Sequence, residues 1–293
     1  MAIYVDETTR LLVQNLTGRE GSFHAMRNRA YGTNVVAGVS PGKGGQDVQG
    51  VPVFDTVAQA VEATQANTTL CFVPAPFAPD AILEAAAAPG MRLIVCITEG
   101  IPAQDEARVV NYLRQTTRVP LIGPNCPGVI SPGKANVGIM PHEICLPGDV
   151  GVVSRSGTLT YQAVHELTTR GIGQSSCIGI GGDPVVGSNF LDLIPLFDRD
   201  PETKAVVLFS EPGGVVEEKL SELVLAQKLS IPIIGFIAGR FVDSMPGVRF
   251  GHAATIVEGN RGSTKSKIEM FRKAGIHVAE SFSDLADIAK RYL

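Results

Sequence analysis

Short apolar runs rich in Val, Ile and Leu recur along the chain, separated by longer Ala-, Leu- and Glu-rich stretches with helical spacing. Strands of a parallel sheet are covered on both faces and joined by crossover helices, so this rhythm predicts an α/β fold. In the first half, strands are expected at 11–15, 34–39, 69–73, 93–96 and 120–122, with helices near 22–31, 56–63, 79–88 and 103–115. A cluster of turn formers, Gly123-Pro124-Asn125-Cys126-Pro127-Gly128, breaks the pattern. The Pro- and Gly-dotted stretch from there to residue 148 is expected to hold no strand. The rhythm then restarts, with strands at 149–153, 174–180, 205–209 and 233–238 and helices near 158–169, 190–197, 215–229 and 266–274. The expected architecture is two doubly wound domains in tandem, 1–125 and 126–293, with functional loops at the carboxyl ends of the strands.

Length agrees with two cores: 293 residues exceed what one small domain needs. A net charge of −4 gives no general attraction to nucleic acid or anionic membrane, so any anion site must be local. The five cysteines (Cys71, Cys96, Cys126, Cys145 and Cys177) are scattered without a CxxC pair, which argues against a disulfide framework and against a metal site. No basic segment followed by an apolar one opens the chain, and no apolar run reaches membrane-spanning length. A cytoplasmic protein is expected, or a mature matrix protein.

The first strand runs into Asn15-Leu16-Thr17-Gly18-Arg19-Glu20-Gly21 and then a helix. Such a turn lets backbone N–H groups approach a phosphate, although it also serves as a plain strand–helix connection, and Asn15 stands where a first glycine would be. An NAD site would end the next strand with an acid that holds the ribose diol. Here that strand is followed by Ser40-Pro41-Gly42-Lys43-Gly44-Gly45, a lysine between glycines, which suits a phosphorylated ribose, as in NADP or coenzyme A. A solvated loop lysine is the plainer alternative. Ile97-Thr98-Glu99-Gly100 closes a later strand at the same sheet edge.

In the second half, Ser154-Arg155-Ser156-Gly157-Thr158 carries a strand into a helix, and Ser210-Glu211-Pro212-Gly213-Gly214 does so again. Both have the composition of a helix N-terminus with exposed donors; a serine N-cap alone would explain the first. His252, in Gly251-His252-Ala253, follows the last core strand. An imidazole carrying a phosphoryl group needs donors and positive dipole ends, which Ser154, Ser156 and Gly157 at one helix start and Gly213 and Gly214 at another would supply. Glu211 could orient the ring through its non-reacting nitrogen.

These segments, with Val73-Pro74-Ala75-Pro76-Phe77, Gly179-Ile180-Gly181-Gly182-Asp183-Pro184 and Gly187-Ser188-Asn189-Phe190, occur in an order and spacing that resemble the alpha subunit family of succinyl-CoA synthetase over essentially the whole chain. The resemblance implies an N-terminal Rossmann-like CoA-binding domain and a flavodoxin-like domain bearing a phosphohistidine, His252, paired with Glu211. It implies a CoA site at Thr17, Gly18, Arg19, Glu20, Lys43, Ile97, Thr98 and Glu99, and substrate contacts at Tyr161, Asn125 and Pro127. It also implies an ATP-grasp beta subunit, in an αβ or α2β2 assembly, that binds ATP or GTP with Mg²⁺ and phosphorylates the histidine. The phosphoryl group then passes to succinate, and the CoA thiol displaces phosphate to leave succinyl-CoA. The chain has no Walker A loop and no kinase signature of its own. Asn15, Pro212 and the segment 240–248 depart from the family pattern. A ligase for malate or another dicarboxylate, an NADP-dependent oxidoreductase and a non-catalytic CoA-binding regulator are the competing readings.

Overall fold

A computed structural model describes residues 2–241 and 262–293. Parallel strands form the centre of two sheets, one in each half of the chain. The first half contains β1 (Arg10–Gln14), β2 (Asn34–Val39), β3 (Asp47–Val48), β4 (Val51–Phe54), β5 (Thr68–Cys71), β6 (Leu93–Cys96) and β7 (Leu121–Ile122). They lie in the order β3-β4-β2-β1-β5-β6-β7, parallel throughout except for the short β3 at the edge. Their crossovers include α1 (Arg19–Tyr31), α2 (Val57–Thr64), α3 (Ala78–Ala87) and α4 (Ala103–Gln115). This is a Rossmann-like winding, with the chain reversing direction across the sheet between β1 and β5.

The second sheet takes β8 (Gly128–Ser131), β9 (Ala135–Gly138), β10 (Pro147–Ser154), β11 (Gln174–Gly179), β12 (Ala205–Ser210), β13 (Ile233–Ile237) and β14 (His277–Val278). Its order is β14-β13-β12-β10-β11-β8-β9. Counting only the five parallel strands gives 2-1-3-4-5, the flavodoxin order. α5 (Gly157–Thr169) and α9 (Phe282–Ala289) pack together, while α6 (Phe190–Arg199), α7 (Val216–Leu225) and α8 (Thr264–Lys273) form a second group.

The stretch expected to be strandless is corrected by this sheet. β8 and β9 form a hairpin around the Pro132-Gly133 turn, and β8 pairs antiparallel with β11. Every residue of both strands is buried, so neither shows the alternation that would announce a half-exposed strand. The hairpin also stitches the two halves: Asn28 of α1 donates to the Gly138 carbonyl at 3.1 Å, and Thr33 donates to that of Asn136 at 2.9 Å. One apolar cluster accordingly runs from Val13 and Leu70 of the first sheet through Val129 and Val137 to Val153 and Phe197 of the second. Local chemistry sets the helix starts: Ser156 caps α5, and Asn189 with Asp192 closes a capping box on α6.

Candidate functional site

Two groups of loops gather at the carboxyl ends of the strands. In the first half, the loops after β1, β2 and β5 wall a cavity of about 590 Å³ lined by Asn15, Thr17, Ser40, Lys43, Pro74 and Phe77, among others. Asn15 adopts the left-handed region with φ of 64° and anchors its side chain to the Phe72 carbonyl at 3.0 Å. Asparagine tolerates that conformation better than other residues with a Cβ, which is why it can replace a glycine here. A Cβ on Gly21 would lie 2.2 Å from the Asn15 carbonyl oxygen, so the close packing of α1 on this turn requires glycine there. Gly18 is the N-cap of α1 and offers no side-chain acceptor, leaving the first-turn N–H groups for another partner. Lys43 Nζ reaches over the turn to Thr17 Oγ1 at 3.1 Å, and Thr17 in turn donates to Ser40 Oγ at 3.0 Å.

An apolar wall, a lysine and an uncapped helix start suit a ligand that is part ring system and part phosphate, as coenzyme A is. Of the residues expected there, Thr17 and Lys43 line the cavity. Arg19 and Glu20 open α1 as an exposed ion pair 3.0 Å apart. Ile97, Thr98 and Glu99 follow β6 and adjoin the cavity through the bond from Thr98 Oγ1 to the Val73 carbonyl, 2.6 Å. Sequence reasoning gave no role to Ser40 or to Phe77, whose ring is 64% exposed. An exposed aromatic among prolines was the available signal.

In the second half, β10 and β12 are neighbours, so the turns that follow them lie side by side. Ser154 Oγ donates to the Ser156 carbonyl at 2.9 Å and accepts from the Ser156 N–H at 3.1 Å, shaping the turn into α5. Gly157 starts that helix against the Pro127 ring. Beyond β12, Gly213 and Gly214 have φ of 94° and 64°, a pair of left-handed residues leading to α7. Arg155 spans the two turns. Its Nε lies 4.0 Å from Glu211 Oε1, and its Nη2 donates to the Asp183 carbonyl at 3.3 Å. Both side chains of the Arg155–Glu211 pair are nearly buried, at 11% and 13% exposure. Arg155 was quoted in the sequence only as part of a motif; its role emerges from the adjacency of β10 and β12.

Asn125 sits between the halves: its N–H donates to the Thr98 carbonyl at 2.9 Å, and its Nδ2 to Asp183 Oδ1 at 2.9 Å. Tyr161, on the second turn of α5, is half-buried, and burial pushes its phenol up to about 12, so it stays neutral. Thus Ser154, Ser156, Gly157, Pro127, Asn125, Glu211, Gly213 and Gly214 belong to one region. His252 lies outside the described residues, as does the departure at 242–248. Among the described residues, no cluster of His, Cys, Asp or Glu could hold a metal ion, and no helix is long and apolar enough to cross a membrane.

A CoA-binding domain model matches residues 6–100, and a CoA-ligase model matches residues 153–277. Fold and family models together define the class, a CoA-ligase chain built of two α/β units. A succinate–CoA ligase (ADP-forming) alpha subunit of Aquifex aeolicus is 50% identical over 294 residues, covering 100% of this chain and 95% of that one. One of the two such subunits of Archaeoglobus fulgidus is 51% identical, covering 100% and 99%. This chain belongs to the succinate–CoA ligase alpha-subunit family. An ATP citrate lyase from Methanosaeta concilii, solved with (3S)-citryl-CoA, shares the fold with a TM-score of 0.90 at 24% identity, over 99% of this chain and 50% of that one.

Proposed function

We propose that this chain is the alpha subunit of a ligase that joins succinate to coenzyme A, and that His252 carries the phosphoryl group between nucleotide and succinate. The reading rests on one observation above all: two glycine- and serine-rich turns at adjacent strand ends each open a helix, with Glu211 and Arg155 between them. The starts of α5 and α7 each present N–H groups and a partial positive charge, and together they stabilise a dianion by roughly 1 to 2 kcal/mol apiece in a partly buried setting. Glu211 accepts a hydrogen bond from the N–H of one imidazole nitrogen of His252 and keeps the other nitrogen nucleophilic. Arg155 opposes the negative charge of Glu211 and of the transferred group.

Coenzyme A would be held at the first-half cavity, with Lys43 and the start of α1 toward its phosphates and Phe77 toward its ring system. Its thiol accepts the acyl group. The nucleotide and Mg²⁺ belong to a separate beta subunit of the ATP-grasp type, paired one to one or as a dimer of pairs. ATP is the expected nucleotide, in keeping with relatives named as ADP-forming. Tyr161, Asn125 and Pro127 face the acid substrate, and the reaction runs in the cytoplasm.

Incubation of the chain with its beta partner, Mg²⁺ and γ-labelled ATP tests this. The expected product is an acid-labile, base-stable phosphoprotein that forms on the wild type and not on His252→Asn. Label on a serine or aspartate, or undiminished label on the variant, refutes the assignment.

A further inference from the structure

Beneath the 210–214 turn lies a charged cluster that the reaction above does not use. Lys267 on α8 and Glu217 on α7 are both wholly buried, with Nζ 2.5 Å from Oε2. Lys267 Nζ also donates to the Gly213 carbonyl at 2.7 Å, and Ser210 Oγ donates to Glu217 Oε1. One ion pair therefore grips both ends of the turn, with Glu211 and Pro212 between the grips. The Gly213 N–H, meanwhile, donates to the Gly262 carbonyl at 2.8 Å, and Glu218 Oε1 receives the Gly262 N–H at 3.2 Å.

Burying two full charges is unfavourable enough that an apolar pair of the same size often serves stability as well, so the acceptors reveal the use. They are the hydroxyl and the carbonyl of the turn. Gly213 and Gly214 occupy left-handed conformations that glycine leaves as easily as it enters, and the peptide between them can rotate. In a trans peptide the C=O and the following N–H point in opposite directions. Tying the Gly213 oxygen inward to Lys267 turns the Gly214 N–H outward, on the side where Gly214 is exposed and Gly213 is not.

We propose that Lys267 and Glu217 are positioning residues, which hold the Gly213–Gly214 peptide with its donor facing the anion site and hold Glu211 in register with it. The inference depends on the ligase reading, and the test separates the two. The paired variant Lys267→Met/Glu217→Gln removes both charges together and leaves an acceptor for Ser210. With the beta partner and labelled ATP, the initial rate of phosphoprotein formation should fall about 100-fold, the loss typical of one misdirected oxyanion donor, while CoA affinity stays within about twofold. In a Glu211→Gln background the same pair should cost only about threefold more, because groups acting through one turn are not additive.

Wild-type labelling rates in the CoA-binding paired variant overturn the inference, as does a full 100-fold further loss in the Glu211→Gln background. Should the paired variant lose CoA binding, Ser210→Ala carries the test, deleting one grip while keeping the core; a fall of about fivefold supports the proposal and an unchanged rate overturns it. A wild-type chain that takes no label sinks the ligase reading itself, whereas a labelled wild type with unaffected variants sinks only this inference.

Discussion

Glu106 opens α4 in the first half, yet its carboxyl group lies buried against Asp183 of the second half, with 3% and 8% of the two residues exposed. Its Oε2 accepts the Val185 N–H at 3.3 Å, and Asp183 Oδ1 accepts from Asn125. Glu106 Oε1 and Asp183 Oδ2 have no partner while both acids are ionised. A proton on Glu106, donated to Asp183, satisfies both atoms at once. Burial first, then the bond to Asp183 and its charge, push the Glu106 carboxyl up to about 8.

That shift has a definite sign. Below about 4.5 folded and unfolded chains both hold the proton; between there and about 8 only the folded chain does, so stability falls as pH rises through this window. Holding this carboxyl near 8 in place of its ordinary range corresponds to an upper bound of about 5 kcal/mol, and relaxation around the pair brings the working figure to roughly 3 kcal/mol. Glu106→Gln removes the titration and lets an amide donate to Asp183 at any pH. Melts of the isolated chain and the variant, from pH 5.5 to 8.5, should therefore diverge. Near the acid end their midpoints agree closely; at pH 8.5 the variant melts higher by about 5 to 10 °C. Other titrating groups are common to both proteins and drop out of the difference. A difference that stays constant with pH would refute the shared proton.

Three further outcomes follow from the cavity and the core. Lys43→Glu should weaken CoA by about tenfold and dephospho-CoA by much less, read by calorimetry; equal weakening of the two removes Lys43 from the ribose phosphate. Asn15→Gly keeps the left-handed turn and should change CoA affinity less than about threefold, whereas Asn15→Val, strained at φ of 64°, should cost about 1 to 3 kcal/mol of folding stability by denaturant titration. Gly151→Ala would set a methyl group 2.6 Å from the Phe197 ring in the middle of β10, lowering stability by about 1 to 3 kcal/mol; an unchanged midpoint would show that the ring moves freely.

The long parallel strands were legible because they are continuous apolar runs between turn formers, and the turns that open α1, α5 and α7 because glycine and serine mark them. The hairpin of β8 and β9 was not. Its strands have four residues each, are buried on both sides and are framed by Gly128, Gly133 and Gly138, so they resemble a loop. The helix α9 carried a readable start in its Ser281–Asp284 capping box but follows so soon after β14 that it merged with the chain end. α7 stops at Leu225, short of the expected 229, where Gln227 turns left-handed at φ of 55°. Lys267 reads as a surface lysine in Ser263-Thr264-Lys265-Ser266-Lys267, because its partner Glu217 lies 50 residues away in sequence. Arg155 and Glu106 were hidden for a like reason: the partner of the first comes from the adjacency of β10 and β12, and that of the second from the packing of the two halves on each other.

Strand order also explains where both candidate sites fall. In the second sheet β10 is followed by β11 on one side, after which the chain crosses back to β12 on the other. Helices launched from β10 and β12 consequently leave toward opposite groups, α5 with α9 and α7 with α6 and α8, and their N-termini part over the strand ends. The first sheet reverses likewise between β1 and β5, and the cavity lined by Thr17, Lys43 and Pro74 sits over that reversal. Each crevice is thus a consequence of topology, and the residues within it need only be small or turn-forming. On the proposed reading, the net charge of −4 is no obstacle to phosphate at either crevice, because much of the attraction would come from backbone N–H groups. Asn15 meets the same requirement a glycine would, since the turn demands a left-handed backbone and not a particular letter in a motif.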